Sequence, residues 1–97
     1  MTRDDRLLVL LDGSEMPIER WAAGCESLSG IGTMEQVRAA RRQFAGLENV
    51  MFTPGSRQAI PWADMRFSVI VDKSGAEPTL EMMRVLVEGG RIVRDPE

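Results

Sequence analysis

Val9–Pro17, VLLDGSEMP, is an apolar run that breaks into an acid, a glycine, a serine, a second acid and then, one residue on, a proline. Extended back to Arg6, the run RLLVLL has the length of a buried strand. Pro17 suits the first turn of a helix carrying Ile18, Trp21, Ala22 and Cys25 on one side, with Gly24 near its end. Ser14 or Glu15 is expected to cap that helix. A strand turning directly into a helix is the opening unit of an α/β sheet, and the turn between them is where such folds usually grip a ligand.

The same alternation continues outward. Ser27 to Ile31 reads as a second strand, and Thr33-Met34-Glu35-Gln36 then fits the capping box that opens a helix. This helix, Met34 to Ala45, sets Met34, Val37, Ala40 or Arg41, and Phe44 near helical spacing, and Gly46 closes it. Asn49 to Thr53 (NVMFT) is a third strand. Residues 54–66, PGSRQAIPWADMR, hold two prolines and read as a loop that crosses over to a fourth strand, Phe67 to Asp72. Pro78 opens a third helix through Glu88, with Leu80, Met83, Leu86 and Val87 as its core stripe. Gly89 and Gly90 stop it, and Arg91 to Arg94 form a short last strand. The order βαβαββαβ predicts an open, mainly parallel five-stranded α/β sheet of Rossmann-like type with helices on both faces. At 97 residues the chain is expected to be one domain, residues 1–97.

Composition excludes whole classes of chemistry. There is no histidine, so imidazole bases and histidine metal sites are absent, and a single cysteine, Cys25, forms neither an internal disulfide nor a multi-thiolate zinc site. A net charge of −3 and a pI near 5.0 give no general attraction to phosphate backbones, and no nucleic-acid partner is expected. The one basic cluster, Arg38, Arg41 and Arg42, has the spacing of a solvated helix face. No apolar stretch approaches the roughly 20 residues of a membrane span. The N-terminus, MTRDDRLL, carries acids where a signal peptide would be basic, and the expected location is cytoplasmic.

From Asn49 onward the chain resembles the second half of the class I S-adenosylmethionine-dependent methyltransferase core. The matching residues are Ile60-Pro61-Trp62, Phe67-Ser68-Val69-Ile70-Val71 and, above all, Glu81-Met82-Met83-Arg84-Val85-Leu86-Val87-Glu88-Gly89-Gly90-Arg91. Leu7 to Gly13 resembles the family's first strand and glycine loop, Ser29 to Met34 its second strand end, and Val37 to Arg41 the helix after it. The resemblance implies strand order 3-2-1-4-5, with S-adenosylmethionine as cofactor if the chain is active. The positions matching the family's site are Asp12, Gly13, Ser14, Gly32, Ser56 and Asp72.

Several of these positions depart from the family's pattern. Glu15 and Pro17 stand at later glycine positions of the first loop, where side chains fill the space a cofactor needs. The acid that holds the ribose falls on Gly32, the acid that meets the adenine amino group on Ser56, and the aspartate of the family's Phe-Asp pair on Ser68. The family resembles this chain through five strands and has two more after them, so with strand order 3-2-1-4-5 the fifth strand is expected to be an open edge. The short layout is similar to the N-terminal methyltransferase-like domain of anamorsin-type proteins, which lacks the cofactor site.

The leading expectation is therefore a truncated, degenerate methyltransferase-like domain, non-catalytic, with no cofactor and no metal, acting through self-association or a protein partner by a sheet edge or helix face. The alternative is a reduced methyltransferase that completes its site in an oligomer. A further alternative follows from the residues alone. The first and fourth strands end alike, in Leu11-Asp12-Gly13-Ser14 and Val71-Asp72-Lys73-Ser74, so Asp12 and Asp72 are candidates for a pair that binds a small ligand or a divalent cation, or for two separate strand-end turns.

Overall fold

The computed structural model describes residues 1–96 and contains the elements in the expected order: β1 (Arg6–Leu10), α1 (Ile18–Ala23), β2 (Ser27–Gly32), α2 (Met34–Gln43), β3 (Val50–Pro54), β4 (Phe67–Val71), α3 (Leu80–Val85) and β5 (Leu86–Val93). The five strands form one sheet, ordered β3-β2-β1-β4-β5, and every neighbouring pair is parallel. The fold is the predicted Rossmann-like α/β sheet. β1 and β4 are apolar almost throughout because both of their faces are covered, so neither shows the alternation of a half-exposed strand.

Two cores result, one on each face. Leu7 and Val9 of β1 and Val69 and Val71 of β4 pack with Ile18 and Trp21 of α1 and Val37 and Ala40 of α2. On the opposite face Leu8, Leu10, Ile31 and Ile70 are covered by Met82 and Val85 of α3 and by Ile60 of the crossover loop. Thr33 caps α2 as predicted: its hydroxyl accepts from the Gln36 N–H, while the Gln36 side chain accepts from the Thr33 N–H.

Three local expectations are corrected. α1 has Pro17 itself at its N-cap with no side-chain cap, because the Ser14 hydroxyl is bonded back to Asp12. α3 stops at Val85 instead of running to Glu88, because the Met65 and Arg66 N–H groups donate to the Arg84 and Val85 carbonyls that a longer helix would use. Residues from Leu86 on, Gly89 and Gly90 included, join β5. The stripe of α3 is also rotated. Met82 and Val85 are buried, whereas Leu80 is 90% and Met83 55% exposed. The crossover loop explains this rotation: Glu81 accepts from the Ile60 N–H, and Arg84 donates to the Ile60 and Trp62 carbonyls and pairs with Asp64 and Glu81. Turning that charged face to the loop brings Met82 and Val85 onto the sheet.

The two sheet edges differ. At β3 the Arg41 guanidinium donates twice to the Phe52 carbonyl, and Pro54 ends the strand, so that edge is covered. Arg38, Arg41 and Arg42 all stay exposed, with the Arg41 guanidinium engaged by the Phe52 carbonyl. β5 has no such cover among the described residues, and it is bulged, with Phe67 opposite Leu86 but Val69 opposite Arg91.

Candidate functional site

The C-terminal ends of the strands carry every predicted site residue. Asp12, Gly13 and Ser14 follow β1, Gly32 ends β2, Ser56 follows β3 and Asp72 follows β4. β1 and β4 are neighbours in register, Val9 beside Val71, at the point where the strand order reverses.

Asp12 and Asp72 are each bonded to the serine of their own turn. Asp12 Oδ1 accepts from the Ser14 N–H at 2.8 Å and from the Ser14 hydroxyl at 2.5 Å. Those bonds hold its carboxyl below the usual aspartate value, with the charge of nearby Lys73 adding to them. Asp72 makes the same turn, Oδ1 accepting from the Ser74 N–H and hydroxyl, but its other oxygen is 2.6 Å from Arg57. Burial pushes Asp72 up, and the Arg57 and Ser74 hydrogen bonds outweigh it, so the carboxyl lies below its ordinary range. Arg57 in turn is pushed up, chiefly by its hydrogen bond to Asp72. The two aspartates are thus strand-end turns, and Asp72 has its counter-ion within the chain. Among the described residues no three His, Cys, Asp or Glu side chains cluster as a metal site.

Arg57 belongs to the loop after β3, which β2 and β1 separate from β4. Its reach is fixed at both ends: the guanidinium bonds Asp72 and Ser74, and its carbonyl accepts from the Thr79 hydroxyl at the start of α3. The loop is thereby tied across the switch point. Sequence reading missed Arg57, since its partners lie 15 to 22 residues on and no periodicity links them.

Gly32 does not offer an open place for a carboxylate. A Cβ there would lie 2.5 Å from Gln36 Oε1 and 3.1 Å from Leu11 Cβ, so the Gln36 carboxamide occupies the space the family's acid would enter. Ser56 begins a tight turn, bridged to Ala59, with its hydroxyl accepting from the Gln58 N–H. Ser68 is at the other end of the sheet, where its hydroxyl donates to Asp5 and accepts from the Arg6 N–H. It therefore has no part in the strand-end site.

An open groove of about 970 Å³ lies on the α1/α2 side, lined among others by Gly13, Ser14, Met16, Thr33, Gln36 and Phe44. It takes in two predicted positions, Gly13 and Ser14, and leaves out Asp12, Gly32, Ser56 and Asp72. In the core that Ile18 and Ala40 share with this groove, the Trp21 indole N–H is buried without a partner among the described residues. The donor set at the strand ends does not match S-adenosylmethionine as the family holds it: no free carboxylate stands at Gly32 or Ser56 for ribose or adenine, and Glu15 and Pro17 occupy the first loop.

Neither a protein-family model nor a curated protein matches the chain. Among solved structures, the YcgJ protein from Bacillus subtilis is 23% identical with a TM-score of 0.74 over 95% of this chain. An S-adenosylmethionine-dependent methyltransferase from Methanosarcina mazei is 22% identical with a TM-score of 0.67 over 89% of this chain. The [4+2]-cyclase SpnF is 24% identical with a TM-score of 0.74 over 96% of this chain. The fold is methyltransferase-like. The chain spans 44%, 49% and 39% of those three proteins, less than half of each. That one of them is a cyclase illustrates that this scaffold does not by itself fix a reaction.

Proposed function

We propose that this methyltransferase-like domain works through protein contacts and does not transfer methyl groups. One observation carries the reading: the polar side chains at the strand ends are already bonded within the chain. Asp12 is held by Ser14, Asp72 by Arg57 and Ser74, and Gln36 by Thr33, in the space in front of Gly32. A ligand would have to break these bonds before making its own, which removes most of the gain from binding.

Titrating the purified protein with S-adenosylmethionine and S-adenosylhomocysteine, while recording its mass in solution, tests this. The expected result is no binding heat, with a species larger than the monomer. Tight cofactor binding by a strict monomer would overturn the proposal.

The open groove beside Gly13 and Ser14 favours a second reading, a reduced S-adenosylmethionine-dependent methyltransferase whose site is completed in an oligomer. In that case the cofactor quenches Trp21 or Trp62 fluorescence, and substitution of Asp12, which shapes the turn, abolishes the quench.

A further inference from the structure

A smaller groove of about 350 Å³ lies between β3 and the C-terminal end of α2. Its lining is mainly apolar, with Phe44, Leu47, Val50 and Met51 beside the Arg41 side chain, and Met51 is 55% exposed. Residues 36–46 hold three arginines, Arg38, Arg41 and Arg42, and no acid. Spaced three and four apart, these arginines share one side of the helix, and all are exposed. Arg38 and Arg42 make no salt bridge with a described residue, and Arg41 is bonded to a carbonyl, which leaves its charge uncompensated. Neither Glu35 nor Glu48, the acids that flank this segment, lines the groove.

The complementary chemistry is on α3. Met82 and Val85 cover the sheet, so Leu80 and Met83 serve no core, and they are 90% and 55% exposed. Residues 77–88 hold three glutamates and a single cation, Arg84, which is already paired with Glu81 and Asp64. Glu77 and Glu88 are exposed and make no salt bridge with a described residue. We infer that α3 of one copy docks in the α2/β3 groove of a second copy, Leu80 and Met83 against Phe44, Leu47 and Met51, with the glutamates around α3 facing the three arginines. The inference rests on the reading of the domain as one that acts through protein contacts, and it names the partner and both surfaces.

Large apolar side chains exposed among charges mark interaction surfaces, and opposite charges around them select the partner and its orientation. The contact cannot form within one chain, because α2 packs on one face of the sheet and α3 on the other. The two surfaces share no residue, so one copy can use both at once. Such a contact is heterologous: it joins different patches of two identical chains and propagates head to tail instead of closing at a dimer about a two-fold axis.

The test is a mixing experiment read by sedimentation velocity and light scattering. The wild type is expected to associate progressively with concentration, without a plateau at the dimer. Leu80→Lys with Met83→Lys disables the helix surface, and Arg38→Glu with Arg42→Glu disables the groove. Each pair of substitutions is expected to weaken self-association by about tenfold or more. All four side chains are exposed, so both variants should keep the wild-type melting temperature, which circular dichroism verifies. Mixed in equal amounts, the two variants retain one intact helix surface and one intact groove between them, and they are expected to form a 1:1 dimer that grows no further. A wild type that is monomeric at all concentrations overturns the inference, as does a mixture that forms no more dimer than its components. Association that neither variant weakens overturns this contact while leaving the broader reading standing, and the cofactor titration decides that reading separately.

Discussion

Asp12 and Asp72 close the two central strands with the same local turn, each Oδ1 accepting both the N–H and the hydroxyl of the serine two residues later, yet only Asp72 also pairs with an arginine. The difference comes from where they sit. Asp72 is buried on the side crossed by the loop after β3, and a buried carboxylate needs a partner. Asp12 is exposed and needs none.

The Arg57–Asp72 contact should therefore hold the crossover loop in place. With side-chain exposures of 27% and 4%, it is mostly withdrawn from water. Arg57→Met leaves Asp72 without its cation and is expected to cost about 1–3 kcal/mol, below the range for fully buried pairs because Arg57 retains some solvent. Urea unfolding monitored by Trp62 fluorescence measures it. An unchanged midpoint would show that the loop is secured by Ile60 and Arg84 alone.

Stability should fall in acid, with a sign that follows from the lowered carboxyls. Asp5, Asp12 and Asp72 all lie below their ordinary value of 3.8 in the folded chain. The unfolded chain thus binds protons first. Their contribution is complete above the unfolded value and disappears as pH drops through 3.8 toward the folded values. Denaturation curves recorded from neutral pH down to below 3.8 should show this limb. Asp72→Asn is expected to lower stability at neutral pH and to flatten the limb.

Adding side-chain bulk at Gly32 should be resisted by Gln36. Gly32→Ala brings a methyl group against Gln36 Oε1 and Leu11 Cβ, at a cost of about 1–3 kcal/mol for overpacking. Gln36→Ala removes the obstruction but also half of the capping box, for roughly 0.5–1 kcal/mol. The double variant is expected to be more stable than the sum of the single losses predicts. Additivity within about 0.3 kcal/mol would mean that Leu11, and not Gln36, sets the limit.

The rotation of α3 makes a contrast between adjacent methionines. Met82→Ala should destabilise by about 2–5 kcal/mol, since its side chain is fully buried on the sheet. Met83→Lys and Leu80→Lys should change the stability of the fold by no more than about 0.5 kcal/mol. Thermal melts of the three variants distinguish this from the sequence pattern, which has Leu80 and Met83 in the core.

How far the sequence could be read varied with the range of the interactions. Strand runs such as RLLVLL and FSVIVD and the Thr33–Gln36 capping box announce themselves because the residues that form each element are neighbours in the chain. The end of α3 does not. Its last carbonyls are taken by Met65 and Arg66, about 19 residues earlier, so Gly89 and Gly90 looked like helix terminators although they lie within β5. The strand-end acids were visible as residues but not as partners: the repeated Asp-x-Ser turn is local, whereas Arg57 comes from another strand's loop.

By itself the sequence determined the element order, the parallel sheet with helices on both faces, and the absence of histidine and multi-cysteine chemistry. These follow from periodicity, caps and composition, which act over a few residues. Only the tertiary structure decided which face of α3 is buried, that Gln36 fills the space before Gly32, that Arg57 neutralises Asp72, and that Arg41 bonds along β3. Each of those depends on which side chains the folded loop brings together, and a buried charge or an unpaired carbonyl takes whichever partner three-dimensional proximity supplies.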